Sequence, residues 1–232
     1  MNGLVHIYCG DGKGKTTAAL GLALRAAGNG VPVVIVRFLK NDGSGEVGIL
    51  GNVPGVYLFP CERQFGFTWT MSEAQKVEAG EYFTGLFERA WELGCKTAGE
   101  DVEGAGKADG CMAGENWGSD SVSDGSGRRD IGVCGTGSSV SGSPVSAPLT
   151  SPPCEIRALL VLDEIMAAVN SGFVANERLL AALDHRPDGL EVVLTGRGPS
   201  EELLSRADYV TEMRAVKHPY EKGVGARKGV EY

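Results

Sequence analysis

The segment Cys9-Gly10-Asp11-Gly12-Lys13-Gly14-Lys15-Thr16-Thr17 constrains the fold more than any other part of the chain. An apolar run, residues 4–9, precedes it, and an Ala-rich run with helical periodicity, residues 15–27, follows it. A strand, a glycine-rich loop and a helix in that order let backbone N–H groups converge on phosphate oxygens, with the helix dipole helping. Gly10, Asp11, Gly12, Lys13, Gly14, Lys15, Thr16 and Thr17 are therefore candidate nucleotide-binding residues. Lys15 supplies a compact positive charge, and Thr16 a hydroxyl for Mg²⁺. The usual pattern, G-x-x-x-x-G-K-[ST], asks for glycine where this chain has Cys9; Gly10 comes one residue late.

A second element fits the same site. Residues 158–164 read Ala-Leu-Leu-Val-Leu-Asp-Glu, an apolar strand ending in two acids. Asp163 and Glu164 are candidate Mg²⁺ ligands alongside Thr16, directly or through water. Taken alone, Asp163 could equally cap a helix beside a surface Glu164. Further strands are expected at 33–38, 56–59, 191–195 and 209–212, and helices at 72–93, 176–183 and 200–205. Several strands are continuously apolar, as strands covered on both faces are. Ser72 three residues before Gln75 has the form of a capping box, and Gly28 and Gly94 are expected helix stops. The alternation implies an α/β fold with a mostly parallel sheet and helices on both faces.

Residues 97–153 break this pattern. They contain 12 Gly, 10 Ser and one aromatic, Trp117. Such a stretch buries too little apolar surface to offset its ordering entropy, so a flexible insertion is expected. Loop-closure entropy grows only logarithmically with length, which makes the insertion tolerable within one domain spanning 1–232. The segment also carries 8 acids and 3 bases, hence most of the chain's net charge of −8. Overall acidity thus says little about the working surface, although it argues against nucleic-acid binding. Six cysteines without Cys-x-x-Cys spacing argue against structural zinc. No apolar run reaches the roughly 18 residues of a membrane helix, and residues 4–9 are too short for a secretory core, so a cytoplasmic location is expected.

Four further segments narrow the reading: Gly66-Phe67-Thr68-Trp69, Leu162-Asp163-Glu164-Ile165, Thr195-Gly196-Arg197-Gly198, and a tail running from Val216-Lys217-His218-Pro219-Tyr220 to Gly229-Val230-Glu231-Tyr232. With the loop and Arg25-Ala26-Ala27-Gly28, in this order, they resemble the P-loop ATP:corrinoid adenosyltransferases. The resemblance covers nearly all of 1–96 and 154–232, and it includes the late loop glycine. It implies a P-loop NTPase-like, RecA-type sheet. It also implies transfer of the 5′-deoxyadenosyl group of ATP to the Co(I) of a corrinoid, with release of triphosphate. ATP is the co-substrate, held in a reversed sense across the loop, and Mg²⁺ (or Mn²⁺) the metal. An electron-donating flavoprotein and a homodimer are implied as partners.

Co(I) is itself a strong nucleophile, so no side chain need act as general base. The chain accordingly shows no Ser-His-Asp or Cys-His arrangement. Lys15 and Lys13 are placed to stabilise the departing triphosphate. By resemblance Phe67 and Trp69 face the corrinoid, where an apolar wedge displaces the lower axial ligand and eases reduction to Co(I). Read from the residues alone they are core aromatics, on one face if extended. Arg25 is a candidate nucleotide contact or a solvated helix end. Arg197 follows a strand's carboxyl end, where α/β ligands gather. Lys40 is a candidate substrate contact, with a surface lysine the simpler expectation, and His218 a candidate catalytic group, with a structural or interface histidine the simpler expectation. Phe83, Phe87 and Trp91 are expected to face the core. The first strand begins so early that a cover for the corrinoid is expected either from elsewhere than an amino-terminal extension or not at all. The rival readings are a kinase or ATPase acting at the γ-phosphate, and a non-catalytic nucleotide-binding regulator.

Overall fold

The computed structural model describes residues 3–40, 43–66, 68–99 and 156–230, with only the backbone of Trp69. Phe67 and residues 100–153 of the expected insertion lie outside the described residues.

Six strands form one all-parallel sheet in the order β3-β2-β4-β5-β1-β6. They are β1 (Val5–Cys9), β2 (Val33–Arg37), β3 (Val56–Leu58), β4 (Ala158–Asp163), β5 (Leu190–Thr195) and β6 (Tyr209–Glu212). Strands from both sides of the 97–153 segment thus share one sheet. Every residue of β2, β4 and β5 is buried, which explains their unbroken apolar character, whereas edge strand β6 is exposed throughout. Strand β5 lies between the loop-bearing β1 and the acid-ended β4. The architecture is α/β and consistent with a P-loop NTPase-like fold.

Side chains alternate between two cores, as the period of two requires. One face holds Val33, Ile35, Leu159 and Val161 against Ala19, Leu20 and Ala23 of α1 (Lys15–Gly28). Alanines at the contact let that helix approach the sheet closely. The opposite face holds Val34, Val36, Leu160 and Leu162 against the longer helix α3 (Glu73–Gly99) and two shorter ones, α4 (Ile165–Asn170) and α5 (Asn176–Asp184). The stripe Phe83, Phe87 and Trp91 packs into this core, as its spacing predicts.

Helix α3 departs from expectation at its end. Gly94 is not its stop; the helix runs on to Gly99, three residues into the expected insertion. A Cβ on Gly94 would stand 3.2 Å from Leu160 Cδ2, so this glycine permits close packing of α3 on β4. The start is as read: Ser72 N donates to Gln75 Oε1 (2.9 Å) and Gln75 N to Ser72 Oγ (3.3 Å), a reciprocal capping box. Two helices of six residues, α2 (Gly45–Leu50) and α4, have too little periodicity to be read from sequence. A four-residue helix, α6 (Glu201–Leu204), precedes β6. Thr68–Thr70 forms a 3-10 turn and not an extended segment, so the extended backbone on which the one-face expectation depended is not found there.

Candidate functional site

The carboxyl ends of β1, β4 and β5 converge on the glycine loop. Cys9 still belongs to β1, paired with Glu212 of β6, and a side chain fits there. At Gly10 the chain turns to φ 103°, and a Cβ would stand 2.4 Å from Met213 O. At Gly12 a Cβ would stand 2.7 Å from the same oxygen. The stretch after β6 therefore lies directly against the loop, which is why glycine falls at 10 and 12 and not at 9. Gly12 N donates to Met213 O (2.7 Å), and Met213 N to Cys9 O (2.8 Å). Ala215 N donates to Asp11 Oδ1 (3.2 Å), and this bond above all holds the exposed Asp11 carboxyl below its ordinary pKa.

Gly14, at φ 112°, starts α1 in the left-handed region that disfavours any other residue. Lys15 then folds back, its ammonium donating to Gly10 O (2.8 Å) and Gly12 O (2.9 Å). Burial lowers its pKa, with the positive Arg197 adding to the effect and Glu164 and Asp11 opposing it.

Asp163 ends β4 wholly buried. Its Oδ1 accepts from Thr16 Oγ1 (2.9 Å) and Thr195 Oγ1 (2.7 Å), and its Oδ2 from Lys40 Nζ (2.5 Å). Lys40 Nζ also donates to Thr16 Oγ1 (2.8 Å). Thr195 Oγ1 in turn accepts from Glu164 N (2.9 Å). Neither the expectation of a surface position for Lys40 nor the reading of Thr195 as one residue of the segment 195–198 places these side chains on Asp163. The signal for both was position: each lies at or just beyond the carboxyl end of a strand beside β4. Among the described residues, two non-glycines have positive φ, Leu39 (54°) and Glu164 (62°), each next to a residue of this cluster. Strain of this kind costs about 1–3 kcal/mol and concentrates at functional sites.

Two cavities open here. A smaller one, about 390 Å³, is lined by the loop residues Asp11 to Thr17 together with Glu164, Arg197, His218 and Val230. His218 Nδ1 accepts from Tyr220 N (3.2 Å), so the neutral ring carries its proton on Nε2. A larger one, about 940 Å³, is lined by Thr16, Thr17, Leu20, Lys40, Arg63, Phe65 and others. They meet at Thr16, Thr17 and Val230. The carboxyl-terminal tail brings Gly229 and Val230 to the larger cavity. Arg197 is brought to the loop, its backbone oxygen held by Asn170 Nδ2 (2.9 Å). Arg25 is not; it is exposed on the last turn of α1 and lines neither cavity.

Among the described residues no cluster of three or more His, Cys, Asp or Glu is arranged to hold a metal. The Thr16 hydroxyl and Asp163 carboxylate nevertheless suit Mg²⁺, which takes few protein oxygens and completes its shell with phosphate and water. They already bind a cation, the Lys40 ammonium. Among the described residues no helix is long and apolar enough to cross a membrane.

A family model described as ATP:corrinoid adenosyltransferase BtuR/CobO/CobP matches residues 1–98 and 148–232. A corrinoid adenosyltransferase of Pseudomonas aeruginosa is 28% identical over 231 residues, 99% of this chain and 84% of that protein. The corrinoid adenosyltransferase CobA of Salmonella typhimurium is 29% identical over 231 residues, 99% and 86% of the two chains. A corrinoid adenosyltransferase of Escherichia coli is 28% identical with the same coverage, 99% and 86%.

Proposed function

The chain belongs to the ATP:corrinoid adenosyltransferase family, and from that premise we propose how its own residues carry the transfer of the adenosyl group of ATP to a corrinoid. The observation that carries the proposal is the junction of the two cavities at Thr16, Thr17 and Val230. A triphosphate seated on the loop leaves its ribose at the mouth of the larger space, where a reduced corrinoid has room to approach C5′.

The cobalt lone pair forms the Co–C5′ bond as the C5′–O bond breaks. That electron pair leaves on the triphosphate, and cobalt passes from Co(I) to Co(III). The protein's task is to hold the two centres in line and stabilise charge on the leaving group. The loop N–H groups, Lys15, Lys13, Arg197 and the Nε2–H of His218 surround that charge. Thr16 and Asp163, with Glu164 beside them, would hold Mg²⁺, which when bound neutralises phosphate charge. Chemistry at C5′ requires no residue to orient water at the γ-phosphate, which favours this reading over a kinase or ATPase.

By family resemblance Phe67 and Trp69 border the corrinoid and displace its lower axial ligand. Truncating Trp69→Ala then slows the reaction from Co(II) corrinoid more than from pre-reduced Co(I); equal slowing rejects that role. A flavoprotein electron donor, a homodimer, a cytoplasmic location and a single domain with 97–153 as an insertion belong to the same reading. To test it, the protein is incubated with Mg²⁺, ATP and chemically reduced corrinoid. A photolabile cobalt–carbon bond formed with one equivalent of intact triphosphate supports the proposal. Production of ADP without an alkylated corrinoid refutes it.

A further inference from the structure

We propose that Lys40 is the resident cation of the Thr16–Asp163 pair, and that it gives up this position to the divalent ion that arrives with the nucleotide. The inference rests on the reading above, in which the site takes a divalent ion together with ATP.

The geometry begins in the sequence that follows β2. The strand ends at Arg37, in register with Asp163 of β4. Phe38 N still donates to Asp163 O (2.8 Å), so the chain is tied to β4 to this point. Leu39 then adopts φ 54°, a conformation a leucine reaches only at a cost. That turn brings Lys40 back over the carboxyl end of the sheet, where a continued strand would have carried it away.

The contacts made there are those a hard cation would make. Asp163 Oδ1 already accepts from two hydroxyls, those of Thr16 and Thr195, which leaves Oδ2 to Lys40. Thr16 Oγ1 spends its single proton on Asp163, so a lone pair faces the ammonium. A carboxylate oxygen and a hydroxyl lone pair are typical Mg²⁺ or Mn²⁺ ligands, at about 2.0–2.1 Å for Mg²⁺. The ammonium nitrogen lies 2.5 Å and 2.8 Å from the same two oxygens. An ion bound to both from that side would overlap it, so occupancy is exclusive.

Two features make the exchange feasible. Asp163 is fully buried, and stripping a buried carboxylate of a cationic partner is strongly destabilising, so a substitute charge is needed as Lys40 leaves. The Lys40 side chain is 26% exposed and borders the larger cavity, so its stem has somewhere to swing. From there the ammonium can meet the triphosphate. Lys40 thereby keeps Asp163 paired in the nucleotide-free protein and makes the site a poor one for free divalent ions. Metal binding becomes conditional on the nucleotide.

The test uses the full-length protein, Mn²⁺ alone as probe, and electron paramagnetic resonance to count free ions. Wild type should bind Mn²⁺ weakly without nucleotide, and Lys40→Met about tenfold or more tightly. Mn²⁺ should also raise the melting temperature of Lys40→Met more than that of wild type, and adding Asp163→Asn should abolish both gains. Equal Mn²⁺ affinity in wild type and Lys40→Met, or a gain that survives Asp163→Asn, overturns the inference. Should Lys40→Met not fold, the lysine ammonium NMR signal of the wild type, assigned with Lys40→Arg, decides. It should move when Mg²⁺ and ATP are added together and stay when ATP is added alone; a signal unmoved in both cases overturns the inference. Binding of Mn²⁺–ATP to wild type separates the two readings. If it is absent, the nucleotide site itself is misassigned; if it is present and free Mn²⁺ affinity does not respond, only the role of Lys40 falls.

Discussion

Two buried acids lie at opposite ends of the same sheet, and they are held in different ways. Asp163, at the carboxyl end of β4, is paired through three side chains: Thr16, Thr195 and Lys40. Glu191, at the amino end of β5, accepts from Leu4 N (2.7 Å) and lies 2.6 Å from His6 Nε2. His6 itself stacks on Tyr209 at 4.7 Å between ring centroids. Nearby, Asp208 Oδ2 accepts from Val5 N (2.8 Å), a second backbone tie of the same kind. The amino end thus uses carboxylate side chains to hold backbone N–H groups across β5, β1 and β6. The carboxyl end gathers side chains that can exchange partners, and it alone among the described residues carries strained non-glycine backbone. One end of the sheet holds the fold together; the other is built to receive charge.

The largest expected effect lies at the carboxyl end. Lys15→Ala should lower adenosyl transfer about a hundredfold or more, the usual loss when a leaving-group donor is removed, with little change in melting temperature. Near-normal turnover would remove the loop lysine from the mechanism and blur the contrast between the ends. The opposite arm is Glu191→Ala. Leaving Leu4 N and His6 without their acceptor should cost about 1–3 kcal/mol in denaturant titration, with turnover per folded molecule unchanged. A loss of turnover without a loss of stability would mean the amino end also serves function. Gly12→Ala probes the clamp at Met213. Its Cβ would meet backbone at 2.7 Å, so the loop must shift, and ATP binding by calorimetry should weaken about tenfold.

The smallest effect is expected at Asp184, whose carboxylate pairs with Arg206 through contacts of 2.8 Å and 2.9 Å. The hydrogen bond from Arg206 holds this exposed carboxyl below its ordinary value. A depressed carboxylate pKa adds stability above the ordinary range near pH 4, lost as pH falls through the folded value. Melting curves of wild type and Asp184→Asn should therefore differ slightly at neutral pH and converge in acid. A gap that widens in acid would have the wrong sign for this account.

Much of the fold was legible because the central strands are buried on both faces and so read as unbroken apolar runs. The phosphate loop was legible because its glycines and lysines are contiguous. The remainder depends on contacts between distant segments. The clamp on the loop is made by backbone atoms of Met213, which leave no side-chain signature. Gly94 looked like a helix stop because its packing against Leu160 involves a strand more than sixty residues away. For Lys40 a surface position was the simpler of two expectations because the left-handed turn at Leu39, which redirects it, is not encoded by glycine. Arg25 had two expected roles, and the rise of about 1.5 Å per residue decides between them: it carries the residue away from the loop to an exposed helix end.

The account's central claim is that the loop grips the triphosphate so that C5′ of the ribose opens onto the larger cavity. A crystal structure with Mg²⁺ and ATP tests this most directly. The account predicts phosphate oxygens on the loop N–H groups and Lys15, and C5′ facing the space bordered by Lys40, Arg63 and Phe65. A ribose turned out to solvent, with the γ-phosphate pointing into that space, would contradict it.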